Sequence, residues 1–296
     1  MKAALLPDRG VVKVAGDDAR NFLHGLVSAD VLKIKAGEAR FGALLTPQGK
    51  IIADFIVVEA PATGGGGFFL DLPRALVATL VGKLNLYKLR SRVIAEDLSE
   101  VLGVLAAWDG EAKSAFGLCY ADPRLLALGL RLMLPPHRAD DAAARLGATR
   151  VDPGEYEAHR IALGIPRGGV DFSYGDAFPH ETDMDQLGGV DFAKGCYVGQ
   201  EVVSRLEHRG NARTRALPVH YDSVEPPVGS TVMAGDRQVG TMGSAADGHG
   251  VALLRLDRVA EALSRGEELK AGGITIRPIK PDWARFAFPD GSKAAE

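Results

Sequence analysis

From about residue 213 onward the chain is built of short segments, ALPVHYDS, STVMAG, RQVGTMGS and ITIRPIK, separated by glycine-rich turns. Only VAEALSRG in that stretch reads as a helix. Short strands with closely spaced turn signals are the grammar of a small antiparallel barrel or sandwich. A β-domain of that size is a complete unit, so residues 213–296 separate from everything before them.

The first half has a different grammar. GVVKVAG (10–16) alternates as a half-buried strand does, and DDARNFLHGLV follows with Asp17 and Asp18 as cap candidates and Phe22, Leu23, Leu26 and Val27 on one helical face. LLTPQGKIIADFIVVEA gives a turn around Pro47 and Gly49 and then a long apolar strand, and GGGGFFLDLP closes a hairpin. The glycines at 64–67 lack the Lys-Ser/Thr pair and helix start of a phosphate loop, so they read as a hairpin loop. PRALVATLVGKLNLYKLRS carries Leu76, Leu80, Leu84 and Tyr87 at helical spacing, and DDAAARLGA is a short helix stopped by Gly147. VIAEDLSEVLGVLAAW and LLALGLRLMLPP read as strands. Strand pairs alternating with single helices predict α+β units whose antiparallel sheets are covered by helices on one face.

Between these halves, residues 151–201 are irregular and rich in glycine, acids and aromatics. Long irregular runs inside compact proteins concentrate function. This one ends in DFAKGCYVGQE (191–201), which holds Cys196, one of only two cysteines. Lys194 stands close enough in sequence to favour a thiolate, and Gly195 and Gly199 leave room for an approaching ligand. Cys119, in the apolar segment AFGLCYADP, reads as a structural strand residue. With no CxxC and no histidine cluster, neither a disulfide framework nor a zinc site is expected.

The net charge of −3 gives no overall attraction to nucleic acid or anionic membrane. RLEHRGNARTR (205–215), with four arginines and one acid, is the one local basic stretch; a solvated or interdomain face accounts for it more simply than RNA or a folate polyglutamate tail. No apolar run reaches the roughly 18 residues of a membrane span. The Ala3–Leu6 run is too short for a secretory signal, so a cytoplasmic protein is expected.

KGCYVGQE, followed by a basic run and a small β-domain, resembles the signature of the YgfZ family, related to the T-protein (aminomethyltransferase) of the glycine cleavage system. GDDARNFLHGLVSADV, LLTPQGKIIADFIV, YEAHRIALGIPRGG and PHETDMDQLGGVDFAKGCYVGQE extend the resemblance over nearly the whole chain, and the middle segment is closer in pattern to the mitochondrial iron–sulfur assembly factors of that family. The resemblance implies a three-domain ring of two α+β domains and a C-terminal β-barrel around a hole that in relatives receives tetrahydrofolate. On this chain it would group residues 1–45 with about 140–212, 46–139, and 213–296. It implies work on [4Fe–4S] proteins, including those of tRNA thiolation, through Cys196, with Lys194, Gly195, Tyr197, Gly199, Gln200 and Glu201 completing the motif.

The sequence also departs from the aminomethyltransferases. Leu72 to Ala95 contains no acid, and HRIALG places Ala162 where their pterin-contacting glutamate stands. Folate-dependent aminomethyl transfer is therefore the alternative, and an assembly factor without that chemistry the first expectation. A single motif thiol cannot hold a cluster alone, so a [2Fe–2S] cluster is expected only when shared with a partner, an A-type carrier being the fitting one. Client [4Fe–4S] enzymes are the further partners. His180 and His208 are the candidate auxiliary ligands.

Overall fold

The computed structural model describes residues 1–114, 116–210 and 212–289. β1 (Lys2–Leu6) leads into β2 (Arg9–Ala15), α1 (Ala19–Leu26), β3 (Ala39–Leu45), β4 (Ile51–Glu59), β5 (Phe68–Pro73), α2 (Val77–Tyr87) and β6 (Ile94–Asp97). β2 to β6 form one antiparallel sheet in the order β3-β4-β5-β2-β6. Alternation in β2 sends Val12 and Val14 inward, where they meet Leu23 of α1 and Leu80 and Leu84 of α2 in one apolar core. Each fully buried leucine there contributes about 2 kcal/mol. Asp18 precedes α1 as expected but makes no cap bond; its Oδ2 instead accepts the backbone N–H of Arg92 at 2.7 Å.

β7 (Gly103–Trp108), β8 (Leu118–Ala121), β9 (Leu130–Leu134), α3 (Ala139–Leu146) and β10 (Thr149–Arg150) follow. They take β1 back into a second sheet ordered β10-β1-β7-β9-β8, with α3 packed on one face and stopped by left-handed Gly147. Buried Arg131 on β9 joins the two sheets: Nη1 reaches Asp71 of β5 at 2.6 Å and Nε reaches Asp122 at 2.8 Å. Arg9 holds the other Asp71 oxygen at 2.6 Å, and Arg124 chelates both Asp122 oxygens at 2.9 and 2.7 Å.

After α4 (Pro153–Ala162) and the irregular segment comes α5 (Gln200–Arg209), then β11 (Thr214–His220), β12 (Thr231–Ala234), β13 (Arg237–Ala246), β14 (His249–Arg255), α6 (Leu256–Ser264), β15 (Leu269–Ala271) and β16 (Ile274–Pro278). The six strands close into a barrel, β16 returning to β11 at Val219 and His220. Of the two folds the sequence allowed for this region, the barrel is the one formed.

The chain divides into two compact units, residues 1–156 with 187–202, and residues 157–186 with 203–296. This differs from the expected grouping. A boundary at residues 45 and 46 would cut the β3–β4 hairpin, whose strands pair from Ala39 to Leu45. β1 pairs with β7 and β10, so the N-terminal strand joins the segment 103–150 while β2 and β3 join 51–97. Residues 157–186 go with the barrel because Arg160 of α4 and Asp171 both bond Ser244 of β13, at 2.8 and 2.7 Å.

Candidate functional site

Cys196 is exposed, at the crest of the loop between Gly189 and Gly199. The loop is fastened at its base by Ser28, which is fully buried just beyond α1. Its hydroxyl donates to the Gly189 carbonyl at 2.6 Å and accepts from Ala43 N–H at 2.8 Å, while its own carbonyl accepts from Asp191 N–H at 3.0 Å. Asp191 Oδ1 then accepts the N–H groups of Ala193 and Lys194 at 2.9 and 3.0 Å, an Asx turn that fixes the approach to the thiol.

Lys194 turns inward. Its ammonium donates to the carbonyls of His24, Val27 and Ala29 at the end of α1, at 2.7 Å for His24 and 2.9 Å for Ala29. Those are carbonyls that the helix end and the chain leaving it do not satisfy themselves. Burial lowers the Lys194 pKa to about 8, against the opposing pull of Asp30 and Asp191. The ammonium also lies 5.0 Å from the Tyr197 ring centroid, a cation–π contact. Tyr197 is buried in turn, and burial, with Asp191 adding, raises its hydroxyl pKa to about 12. The expected service of Lys194 to the thiolate is therefore replaced by another: all three of its hydrogens are spent on backbone oxygens. Lys194 and Tyr197 are anchors pointing in, and Gly195 and Cys196 between them are exposed.

Gly199 has φ +83°, and a Cβ there would lie 2.6 Å from the Thr46 carbonyl oxygen. Gly49, at φ +80°, faces Val202, whose Cβ would lie 3.0 Å from an added Cβ. The LTPQG turn and the YVGQE segment, two motifs separated by some 150 residues of sequence, thus interlock through a pair of glycines. Gln200 and Glu201 open α5, and Glu201 puts its charge at the positive end of the helix.

His24 sits beside this loop with Nδ1 3.2 Å from Asp30 Oδ1; burial first, then Lys194, lowers its pKa against the opposing pull of Asp30 and Asp191. Sequence reading missed Ser28, Asp30 and Asp191. Asp191 was visible as an acid two and three residues before the N–H groups it holds, but Ser28 meets Gly189 across 161 residues and leaves no local signal.

The other candidates lie elsewhere. Cys119 is partly buried in β8, and burial pushes its thiol pKa up, as suits a structural residue. His208 is exposed on α5. His180 is 3% exposed, not a surface residue, and its Nε2 lies 3.0 Å from Glu207 Oε2. The basic stretch 205–215 is no continuous patch: Arg215 is buried, donating to Asp183 at 2.8 Å and to Asp185 at 2.9 and 3.0 Å. Asn211 and the side chain of Arg209 lie outside the described residues. Ala162 is exposed at the end of α4 and offers no acceptor to a pterin. Among the described residues no helix is long and apolar enough to cross a membrane.

A family model described as the CAF17 C-terminal beta-barrel domain matches residues 213–286. The iron-sulfur cluster assembly factor IBA57 homolog, mitochondrial, of Mycosarcoma maydis is 36% identical over 232 residues, 74% of this chain and 57% of that protein. This chain thus spans little more than half the length of that relative. Iron-sulfur cluster assembly factor IBA57, mitochondrial, of Mus musculus is 30% identical over 307 residues, 94% of this chain and 84% of the mouse protein. The crystal structure of glycine cleavage system aminomethyltransferase T from Bartonella henselae superposes with a TM-score of 0.75 at 14% identity, over 97% of this chain and 87% of that one, which shows a shared fold. The expected cytoplasmic location does not stand, because these relatives are named as mitochondrial proteins.

Proposed function

The chain belongs to the iron–sulfur cluster assembly factor IBA57 family, within the wider group that shares the aminomethyltransferase fold, and from that premise we propose that it takes part in maturing [4Fe–4S] proteins through Cys196. The observation that carries this reading is the setting of the thiol. Cys196 is exposed between two buried anchors, on a loop fixed by Ser28, Asp191 and Lys194. A thiol offered to solvent from a fixed loop suits a ligand that a second protein must reach.

Cluster irons take four thiolate-type ligands in all. Cys119 is committed to β8, so this chain supplies one, and the rest come from a partner. A cysteine-rich carrier of the A type fits, with a bridged [2Fe–2S] cluster as cargo, and [4Fe–4S] enzymes as clients. The folate-dependent transferase reading has the fold in its favour, but the acid-free segment 72–95 and Ala162 leave it without the acids its chemistry uses.

The test combines cells and solution. Cys196→Ser fails to restore [4Fe–4S] enzyme activity to a deletion strain while Cys119→Ser restores it. Mixed with holo-carrier, wild type gives a coloured complex of one carrier-bound cluster, and Cys196→Ser loses it. An unchanged bridged complex with the serine variant refutes the shared-ligand reading. Tight tetrahydrofolate binding with aminomethyl turnover would select the transferase instead.

A further inference from the structure

We infer that His180, Asp185 and Glu207 form a binding site for a single divalent transition-metal ion. Their ligand atoms, one imidazole nitrogen and two carboxylate oxygens, all lie within 4.8 Å of one another. Donors bound to one such ion at 2.0–2.2 Å stand about 3 to 4.4 Å apart, so the set closes on an ion with a shift of a few tenths of an ångström. The donors come from two separate pieces of one compact unit, the irregular segment and α5, which gives the set a reason to be brought together.

Two further features point the same way. The first is support behind the donors. Arg215 grips both oxygens of Asp185, at 3.0 and 2.9 Å, and accepts its place by donating to the His180 carbonyl at 2.9 Å as well. Outer-shell bonds of this kind orient metal ligands. The second is an unsatisfied acceptor. One guanidinium serves both Asp183 and Asp185. Asp183 is fully buried, and its Oδ2 has no hydrogen-bond partner among the described residues. A buried carboxyl oxygen without a donor is costly, and a nearby divalent ion with its bound water offsets that cost. Access is also present, since the Glu207 side chain is 45% exposed while those of His180 and Asp185 are 3% and 4%. Water can complete the coordination from that side. A nitrogen with two oxygens suits iron(II), manganese(II) or zinc(II) over soft copper(I).

This site does not depend on the cluster reading of Cys196, and its test is separate. Chelator-stripped protein is titrated with manganese(II), free ion being read by electron paramagnetic resonance, and anaerobically with iron(II) by calorimetry. One equivalent binds saturably. Glu207→Gln, a change at an exposed position, keeps its thermal midpoint without metal and weakens both ions by about tenfold or more. Asp185→Asn weakens both ions likewise but also lowers the metal-free midpoint, because it breaks the buried pair with Arg215, and Cys196→Ser leaves the manganese affinity unaltered. Absence of saturable binding at micromolar to low millimolar ion, or undiminished affinity in the folded Glu207→Gln protein, overturns the site and leaves the three residues as an ion-pair network alone.

Discussion

Two buried arginines organise two carboxylate networks in this molecule, and they are balanced differently. Around Arg131, three guanidinium groups meet two carboxylates, and every carboxylate oxygen of Asp71 and Asp122 accepts at least one hydrogen bond. Around Arg215, one guanidinium serves Asp183 and Asp185, with an Asp183 oxygen left over and Glu207 nearby. The first network is closed and joins two sheets. The second is open, with one acceptor unsatisfied. A buried ion-pair network is weak evidence for function when all its carboxylate oxygens are satisfied, and stronger evidence when one is left over.

The largest effect belongs to the closed network. Arg131→Met leaves Asp71 and Asp122 each short of a donor in a dry setting and is expected to cost about 4 kcal/mol by urea unfolding. A loss under about 1 kcal/mol would show that Arg9 and Arg124 suffice, and the network would not be closed in the sense drawn here.

The next contrast is a matched pair of neutral isosteres. Burial alone would raise the Asp122 pKa, but Arg124 and Arg131 together hold it well below the usual carboxylate range. Its folded pKa is thus below its unfolded one, so its contribution is present above about pH 4 and is lost as pH falls further. For Asp183, burial dominates over Arg215 and pushes the pKa well up. Its contribution is present below about pH 4 and is lost as pH rises through the folded value. Asp122→Asn is therefore expected to cost about 2–3 kcal/mol at pH 7 and to flatten the acid limb of stability. Asp183→Asn should change stability by about 1 kcal/mol or less at pH 7, in the stabilising direction. Denaturation midpoints of both variants from about pH 2 to 8 check the signs, and equal losses would erase the distinction between the networks.

The smallest effect lies outside both. Cys196→Ser, at an exposed loop position, is expected to move stability by about 0.5 kcal/mol or less. A larger loss would mean that the thiol is part of the packing.

Much of this was legible from residue order. Glycines around Cys196 announced room for an approaching ligand, Gly147 announced the end of α3, and the turn spacing after residue 213 announced a small barrel or sandwich, of which the barrel formed. What stayed hidden was pairing at a distance. Nothing in GVVKVAG says that β2 will sit between β5 and β6 while β1, three residues upstream, leaves for another sheet. Lys194 misled because proximity in sequence to Cys196 gave no hint that its side chain would run the other way, to carbonyls some 165 residues earlier. The setting of His180 was hidden in the same way: its neighbours in sequence are polar, and it is Glu207 on α5 and Arg215 on β11 that meet it in the fold, where it is buried.

The link between Lys194 and the end of α1 also has a meaning in time. During synthesis the carbonyls of His24, Val27 and Ala29 emerge some 165 to 170 residues before the ammonium that serves them. At translation rates of about 5–20 residues per second, that interval is roughly ten to thirty seconds. Through it, the first sheet can collapse on its own apolar core, but the mouth of α1 waits in water. The loop bearing Cys196 is thus the last piece to seat on a half already formed, and a ribosome-stalled or prematurely ended chain carries an N-terminal half without its thiol and without its latch.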